Sequence, residues 1–321
     1  MTVRWLLLFL VSFSQPAADP PAVSEPPMFS TGRLGFTVKY KSEVSAYEVN
    51  GVFLMPGESL TLEVMKPEPS GLVLTRGAEI IPQTKKNRWV WTAPTEPGFH
   101  ALTLGSSETA ESMRFNVWIM VPAKNVKNGY LNEYRIGTYP DTAYRDLPVY
   151  QAPKGFVEIT REHQSLAVSP HFELGDFVCK QQSGYPKYLV LRERLILKLE
   201  RILEEVNKKG YACQSFHVMS GFRTPFYNHA IGNVKYSRHQ WGGAADIFID
   251  ENPKDGYMDD LNKDGVIDFR DAHVLYEIVD AMLGKPWYEP FVGGLGLYKK
   301  TPSHGPFVHV DARGFRARWG D

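Results

Sequence analysis

In the stretch "SGFRTPFYNHAIGNVKYSRHQWGGAADIFID", residues 220–250, His239 and Asp246 are separated only by "QWGGAA". An imidazole and a carboxylate joined by small, turn-prone residues can be folded onto one cation. Gly242 and Gly243 let the backbone bend closely, and Ala244 and Ala245 leave room for packing. Asp246 opens the apolar run "DIFI", where a carboxylate is costly to bury unless it is paired or bound to a metal. A catalytic zinc takes three protein ligands and keeps one open position, so a third ligand must come from elsewhere in the chain. His309, between Val308 and Val310 in "FVHVDA", is the candidate. On its own, a strand histidine is more often a satisfied core residue.

A second pattern lies between them. "DLNKDGVIDFRD", residues 260–271, places oxygen-bearing side chains at positions 1, 3, 5, 9 and 12 of a twelve-residue loop: Asp260, Asn262, Asp264, Asp268 and Asp271. Gly265 stands at the sharp turn of position 6, and Val266 would offer its backbone carbonyl. This is the spacing of a calcium loop of the EF-hand type. Its closing residue is Asp rather than Glu, which shortens the bidentate reach and lowers the expected affinity. No clear helix precedes it, as in a dockerin-style loop.

These residues need a frame. At 321 residues the chain is expected to form more than one domain. It carries 36 basic and 36 acidic residues, which argues against a nucleic-acid partner. "SLTLEVM" and "RFNVWIMV" alternate as strands do, with Leu60, Leu62 and Val64 on one face of the first and Phe115, Val117, Ile119 and Val121 on one face of the second. Residues 32–122 therefore read as an all-β sandwich of immunoglobulin type. Residues 123–168, rich in Tyr, Gly and Pro, read as a structured connector. From residue 169 the pattern is α+β. A helix is expected over "YLVLRERLILKLERILEEVNKK" and a second over "HVLYEIVDAMLG", with strands at "SFHVMSGF", "AADIFI", "GGLGLY" and "FVHVDA".

The N-terminus has a basic Arg4, a short apolar run from Trp5 to Phe13 and small residues at Ala17 and Ala18. That is the pattern of an export signal, followed by a Pro-rich leader to residue 27. The apolar run falls short of the ~20 residues that span a bilayer, so a membrane would be touched only through an uncleaved signal. An exported, periplasmic or cell-envelope protein is expected. Cys179 and Cys213 allow one disulfide or two buried thiols.

"SGFRTPFYN", "SRHQWGGAADI" and "FVHVDA", in that order, resemble the zinc D-alanyl-D-alanine carboxypeptidase family, whose superfamily includes phage endolysin peptidases and the hedgehog signalling domain. The resemblance covers roughly the last 150 residues. It implies His239, Asp246 and His309 as zinc ligands, Arg223 as the arginine that meets a substrate oxygen or terminal carboxylate, and Ser237 as a supporting or substrate-side serine. The implied activity is hydrolysis of peptidoglycan stem peptides by a secreted carboxypeptidase or endopeptidase. The chain departs from the pattern at one point. Where hydrolytic members carry a carboxylate shortly before the last histidine, this sequence has "PSHGPFV", with Pro306 and Phe307 and no acid. His304 and Asp311 are the nearby replacements, His304 as acid/base and Asp311 as a base or as the residue orienting the site. The missing acid also supports an alternative, a non-catalytic metal-containing protein that binds cell wall or a partner. A hedgehog-like domain with another task is a third.

Overall fold

The computed structural model describes residues 28–65, 69–106 and 108–320. The export signal and leader lie outside the described residues. The chain is mostly β-sheet with few helices, and no helix among the described residues is long and apolar enough to cross a membrane.

Ten strands come first: β1 (Arg33–Tyr40), β2 (Glu43–Tyr47), β3 (Val49–Leu54), β4 (Ser59–Val64), β5 (Leu72–Arg76), β6 (Glu79–Ile81), β7 (Gln83–Lys85), β8 (Arg88–Thr92), β9 (Gly98–Ser106) and β10 (Ser112–Ile119). They form two five-stranded sheets, ordered β2-β1-β4-β8-β7 and β3-β10-β9-β5-β6. The core shared by these strands takes Leu60, Leu62 and Val64 from β4 and Phe115, Val117 and Ile119 from β10. Successive strand side chains point to opposite faces, so Asn116 and Trp118 on β10 look the other way. Trp118, with Phe53 of β3, joins the core of the rest of the chain. The strand β10 is thus buried on both faces, which explains why its apolar run is nearly continuous.

The middle of the chain holds β11 (Val121–Pro122), β12 (Tyr130–Leu131), β13 (Tyr134–Arg135), β14 (Gly155–Ile159), β15 (Ala167–Ser169), β16 (Phe172–Glu173) and β17 (Lys187–Leu189). A three-stranded sheet, β11-β14-β17, ties it to both ends. Val121 leaves the sandwich here and packs in the larger core with Phe156 and Val157.

Helix α1 (Glu193–Lys208) follows. It starts later than its apolar spacing predicts. Tyr188 and Leu189 pair instead with Glu158 and Val157 in β14, and the Tyr188 hydroxyl donates to Glu158 at 2.7 Å. Aromatic and branched residues gain more from that sheet than from a first helical turn. Charged residues of α1 tie the helix to the earlier strands and to the middle of the chain. Glu204 accepts from the Tyr47 hydroxyl at 2.6 Å, Glu43 pairs with Arg194 at 2.8 Å, and Glu200 meets His171 at 2.7 Å.

The last elements are β18 (His217–Ser220), α2 (Pro225–Ala230), β19 (Ala244–Phe248), α3 (Phe269–Asp280), β20 (Gly294–Tyr298), β21 (Phe307–Asp311) and β22 (Ala317–Trp319). The five strands form one sheet, β18-β19-β21-β20-β22. Helix α3 packs on β20 and β21, and α1 lies against α3. The other face of the central strands carries the residues that the sequence singles out.

Candidate metal centre

Sheet register brings the ligands together. Asp246 on β19 lies directly opposite His309 on β21, and cross-strand partners sit about 5 Å apart at Cβ. His239 reaches the same point from a 3-10 turn, Arg238–Trp241, that runs into β19. Gly242 closes this turn with φ +64°, and a Cβ there would lie 2.2 Å from the Val190 carbonyl oxygen. The tight connection the sequence suggested therefore depends on glycine at this position.

The three side chains are buried. Asp246 Oδ1 lies 2.8 Å from His309 Nδ1 and 3.1 Å from His239 Nε2, and the two ring nitrogens are 3.1 Å apart. The opposite nitrogens are engaged elsewhere. His239 Nδ1 donates to the Gly221 carbonyl at 2.7 Å, and His309 Nε2 donates to Asp311 Oδ2 at 3.2 Å. With those protons placed outward, each imidazole turns a lone pair toward the Asp246 oxygen. Three lone pairs converging in a buried space call for a cation. A tetrahedral zinc with bonds of about 2.0–2.1 Å would set its donors about 3.3 Å apart. Among the described residues this is the one convergent group of three His, Cys or carboxylate side chains. It could hold a metal ion.

The electrostatics divide the two imidazoles: burial works against the charge on His309, but Asp246 and Asp311 outweigh it and hold that ring above its ordinary range, so a metal there would displace a proton. Burial pushes the His239 imidazole down, toward the neutral form a ligand requires. For Asp246, burial opposes the charge, but His239 and His309 outweigh it and hold the carboxyl well below its usual range. Arg223 takes the second oxygen of Asp246 through Nη2, while its Nε donates to Ser220 Oγ at 2.8 Å.

A cleft of about 530 Å³ opens over these residues. Arg223 and Ser237 line it, as do the Arg238, Arg313, Tyr150 and Trp319 side chains, which the sequence reading missed. Asp246 is the only carboxylate in the lining. Arg238 sits over the Tyr150 ring at 4.6 Å, and Trp319 lies 5.1 Å from the His309 ring. Gly296 makes room for that indole, since a Cβ there would come within 2.3 Å of Trp319 Nε1. Tyr150 belongs to the connector and Trp319 to the last strand, so no local spacing could have found them. Arg238, adjacent to His239 in "SRHQW", offered the one available signal.

Asp311 is fully buried. Its carboxylate accepts from the Gly294 N–H at 2.9 Å and from Arg313 Nε at 2.9 Å, in addition to His309. This places it to orient His309, with no face open to the cleft. His304 lies in the turn that bridges Thr301 and His304. Its Nδ1 contacts the Gly305 carbonyl at 2.8 Å, and its ring stands edge-on to Phe307 at 5.0 Å. Phe307 lines the cleft and His304 does not. Cys179 and Cys213 are separate buried thiols.

The acidic loop 260–271 does not converge in the same way. Asp260 accepts from the backbone N–H of Gly265 at 2.8 Å and of Asp264 at 3.2 Å. Asp271 accepts from Leu261 and Asp268 N–H at 2.8 Å each. Arg270 pairs with Asp264 at 2.8 Å and Asp268 at 2.9 Å, and Asp268 caps α3. Gly265 takes the positive φ of 82° that position 6 requires. Asn262 is held to Asp264 at 3.1 Å, and Val266 is exposed.

No family model, curated protein or solved structure matches the chain.

Proposed function

We propose that the protein is an exported zinc metallopeptidase of the D-alanyl-D-alanine carboxypeptidase type, acting on peptidoglycan stem peptides in the periplasm or cell envelope. The observation that carries this reading is the buried convergence of His239 Nε2, Asp246 Oδ1 and His309 Nδ1, with both far ring nitrogens already donating. Two neutral imidazoles and one carboxylate form a catalytic zinc set that leaves one position open. Zinc bound there would polarise a scissile carbonyl and acidify water.

The chain's own residues supply the rest. His309 is oriented by Asp311, and Asp246 by Arg223. Arg223 also lines the cleft, and its remaining N–H donors are the ones proposed to meet a substrate carbonyl or terminal carboxylate. Ser237 lies on the substrate side of the same cleft. His304 is proposed to take and return the proton, which requires the 301–305 turn to fold over Phe307. The finer folds proposed with this function are an immunoglobulin-like sandwich ahead of a zinc-peptidase-like α+β domain. The loop 260–271 is proposed to take a structural calcium ion.

One observation favours a second reading, a non-catalytic metal protein that binds cell wall: no carboxylate other than Asp246 lines the cleft. The deciding experiment is digestion of purified peptidoglycan with zinc-loaded protein, read by mass spectrometry. New stem-peptide products that disappear in His304→Ala support the proposed enzyme. An intact wall with retained binding supports the second reading.

A further inference from the structure

We infer that the substrate chain continues beyond the metal cleft, and that a neighbouring cavity holds a carboxylate-bearing arm of it. The inference rests on the peptidase reading above and narrows it: the bond cut joins two peptide arms rather than ending a single short one.

The cavity measures about 550 Å³, much like the metal cleft at about 530 Å³. Asn233 and Lys235 line both, so one short segment forms the ridge between them. The walls are built by chain pieces far apart in sequence. Gly137 packs so tightly on α2 that a Cβ would lie 2.6 Å from the Phe226 nitrogen. Thr224 caps α2 by accepting from Tyr227 N at 3.0 Å. Asn228 Nδ2 donates to the Val234 carbonyl at 3.0 Å, which fixes the ridge to the helix.

The lining has a single chemical sense. Arg135, His229 and Lys235 contribute to it, and no Asp or Glu does. The Arg135 guanidinium rests on the Phe226 ring at 4.0 Å, and among the described residues neither Arg135 nor Lys235 makes an ion pair. A guanidinium held over an aromatic face keeps its N–H fork for the two-point hydrogen bonding of a carboxylate. A peptide arm ending in a carboxylate brings the anion that Arg135 and Lys235 lack. Across the ridge, Arg223 and Arg313 of the metal cleft are already paired with Asp246 and Asp311, so the unpaired basic groups of the cavity are the ones left for an added anion. A substrate whose second arm carries an acidic group into the cavity matches this arrangement, and one that ends at the metal cleft does not.

The test compares a single stem peptide with a cross-linked dimer of the same peptide, using the full zinc-loaded chain. The dimer is expected to show a kcat/KM about tenfold higher, the worth of one charge-assisted hydrogen bond. Arg135→Gln and His229→Glu, both at exposed positions, should collapse that preference toward one. Equal kcat/KM for the two substrates, unmoved by either variant, overturns the inference while leaving the peptidase reading standing. If neither substrate is cleaved, the peptidase reading fails, and fluorescence anisotropy with labelled monomer and dimer decides the arm site. Dimer binding about tenfold tighter and lost in Arg135→Gln supports it; equal or absent binding ends it.

Discussion

The triad and the acidic loop are both legible as metal motifs in the sequence, yet they behave differently once folded. In the triad, each donor has its other polar atom tied to the protein: His239 to Gly221, His309 to Asp311, Asp246 to Arg223. The atoms left over point at one another. In the loop, the carboxylates spend their oxygens on backbone N–H groups and on Arg270. The supply of N–H donors produces the difference, since Asp271 of the loop is as buried as the triad and is still served by backbone N–H groups. Inside the protein an unpaired polar atom is costly, so three inward lone pairs that converge on one point suit a cation. In the loop, backbone N–H groups and Arg270 satisfy the acids without any ion.

The largest expected effect comes from removing a triad donor. His309→Ala should reduce bound zinc from about one per chain to nearly none, because three protein ligands are the minimum for such a site. Elemental analysis after gel filtration, with circular dichroism to confirm folding, reads it directly. Well-folded wild type without zinc would remove the contrast between the two regions. Asp246→Ala should in addition cost about 3–5 kcal/mol in urea unfolding of the metal-free protein, since it strands the buried Arg223 charge.

The parts of this centre differ in how readable they were. His239 and Asp246 could be found because a short glycine-rich link keeps them local. His309 needed a third motif, since its register opposite Asp246 is set by sheet pairing and not by spacing. The sandwich strands β4 and β10 were legible from alternation, while the start of α1 was not, because its apolar period runs on through Tyr188 and Leu189 into a strand. Tyr150, Arg313 and Trp319 were hidden altogether, since the connector and the C-terminal strand reach the cleft only through tertiary packing. In the loop 260–271 the sequence showed oxygens at the right positions but not what else would occupy them: Arg270 is one residue from the end of the motif and competes for two of its acids.

Behind the triad, Lys198 Nζ donates to the Asp311 carbonyl at 2.6 Å, beside the Tyr288 ring. Burial pushes Lys198 down to about 7, with Asp311 opposing the shift and Arg318 and Arg313 adding to it. The sign follows from proton counting. Above pH ~7 the native lysine gives up its proton while the unfolded one keeps it up to about 10.4, so stability rises with pH. The lysine's own share of the rise should be about 1.4 kcal/mol per unit. His171 and His309, both held above the ordinary imidazole range, lose stability as pH rises, so the share is read as the difference between wild-type and Lys198→Met urea unfolding. A difference that stays constant from about pH 7 to about pH 8.5 would mean that the lysine is not desolvated behind the triad. Asp311→Asn probes the same support from the ligand side. It should weaken zinc affinity about 10–100-fold, the usual worth of a residue that orients a metal-binding histidine, as read by competition with a chromogenic chelator.

The smallest effect belongs to the loop. Calcium there must displace Arg270 from Asp264 and Asp268 and must share Asp271 with the backbone N–H groups of Leu261, Asn262 and Asp268. Each displacement subtracts from the affinity, so a dissociation constant of about 1 mM, at the weak end for calcium loops, is expected. At about 10 mM calcium, preferential binding to the native state is then worth about 1.4 kcal/mol, or roughly 2 °C in Tm for a chain of 321 residues. Asp264→Ala should abolish the shift, and Arg270→Gln should enlarge it by freeing two acids at once. The arginine variant makes the comparison decisive. If calcium moves neither wild type nor Arg270→Gln, these carboxylates are fully served by the loop's own N–H groups, and only the buried triad is a metal site.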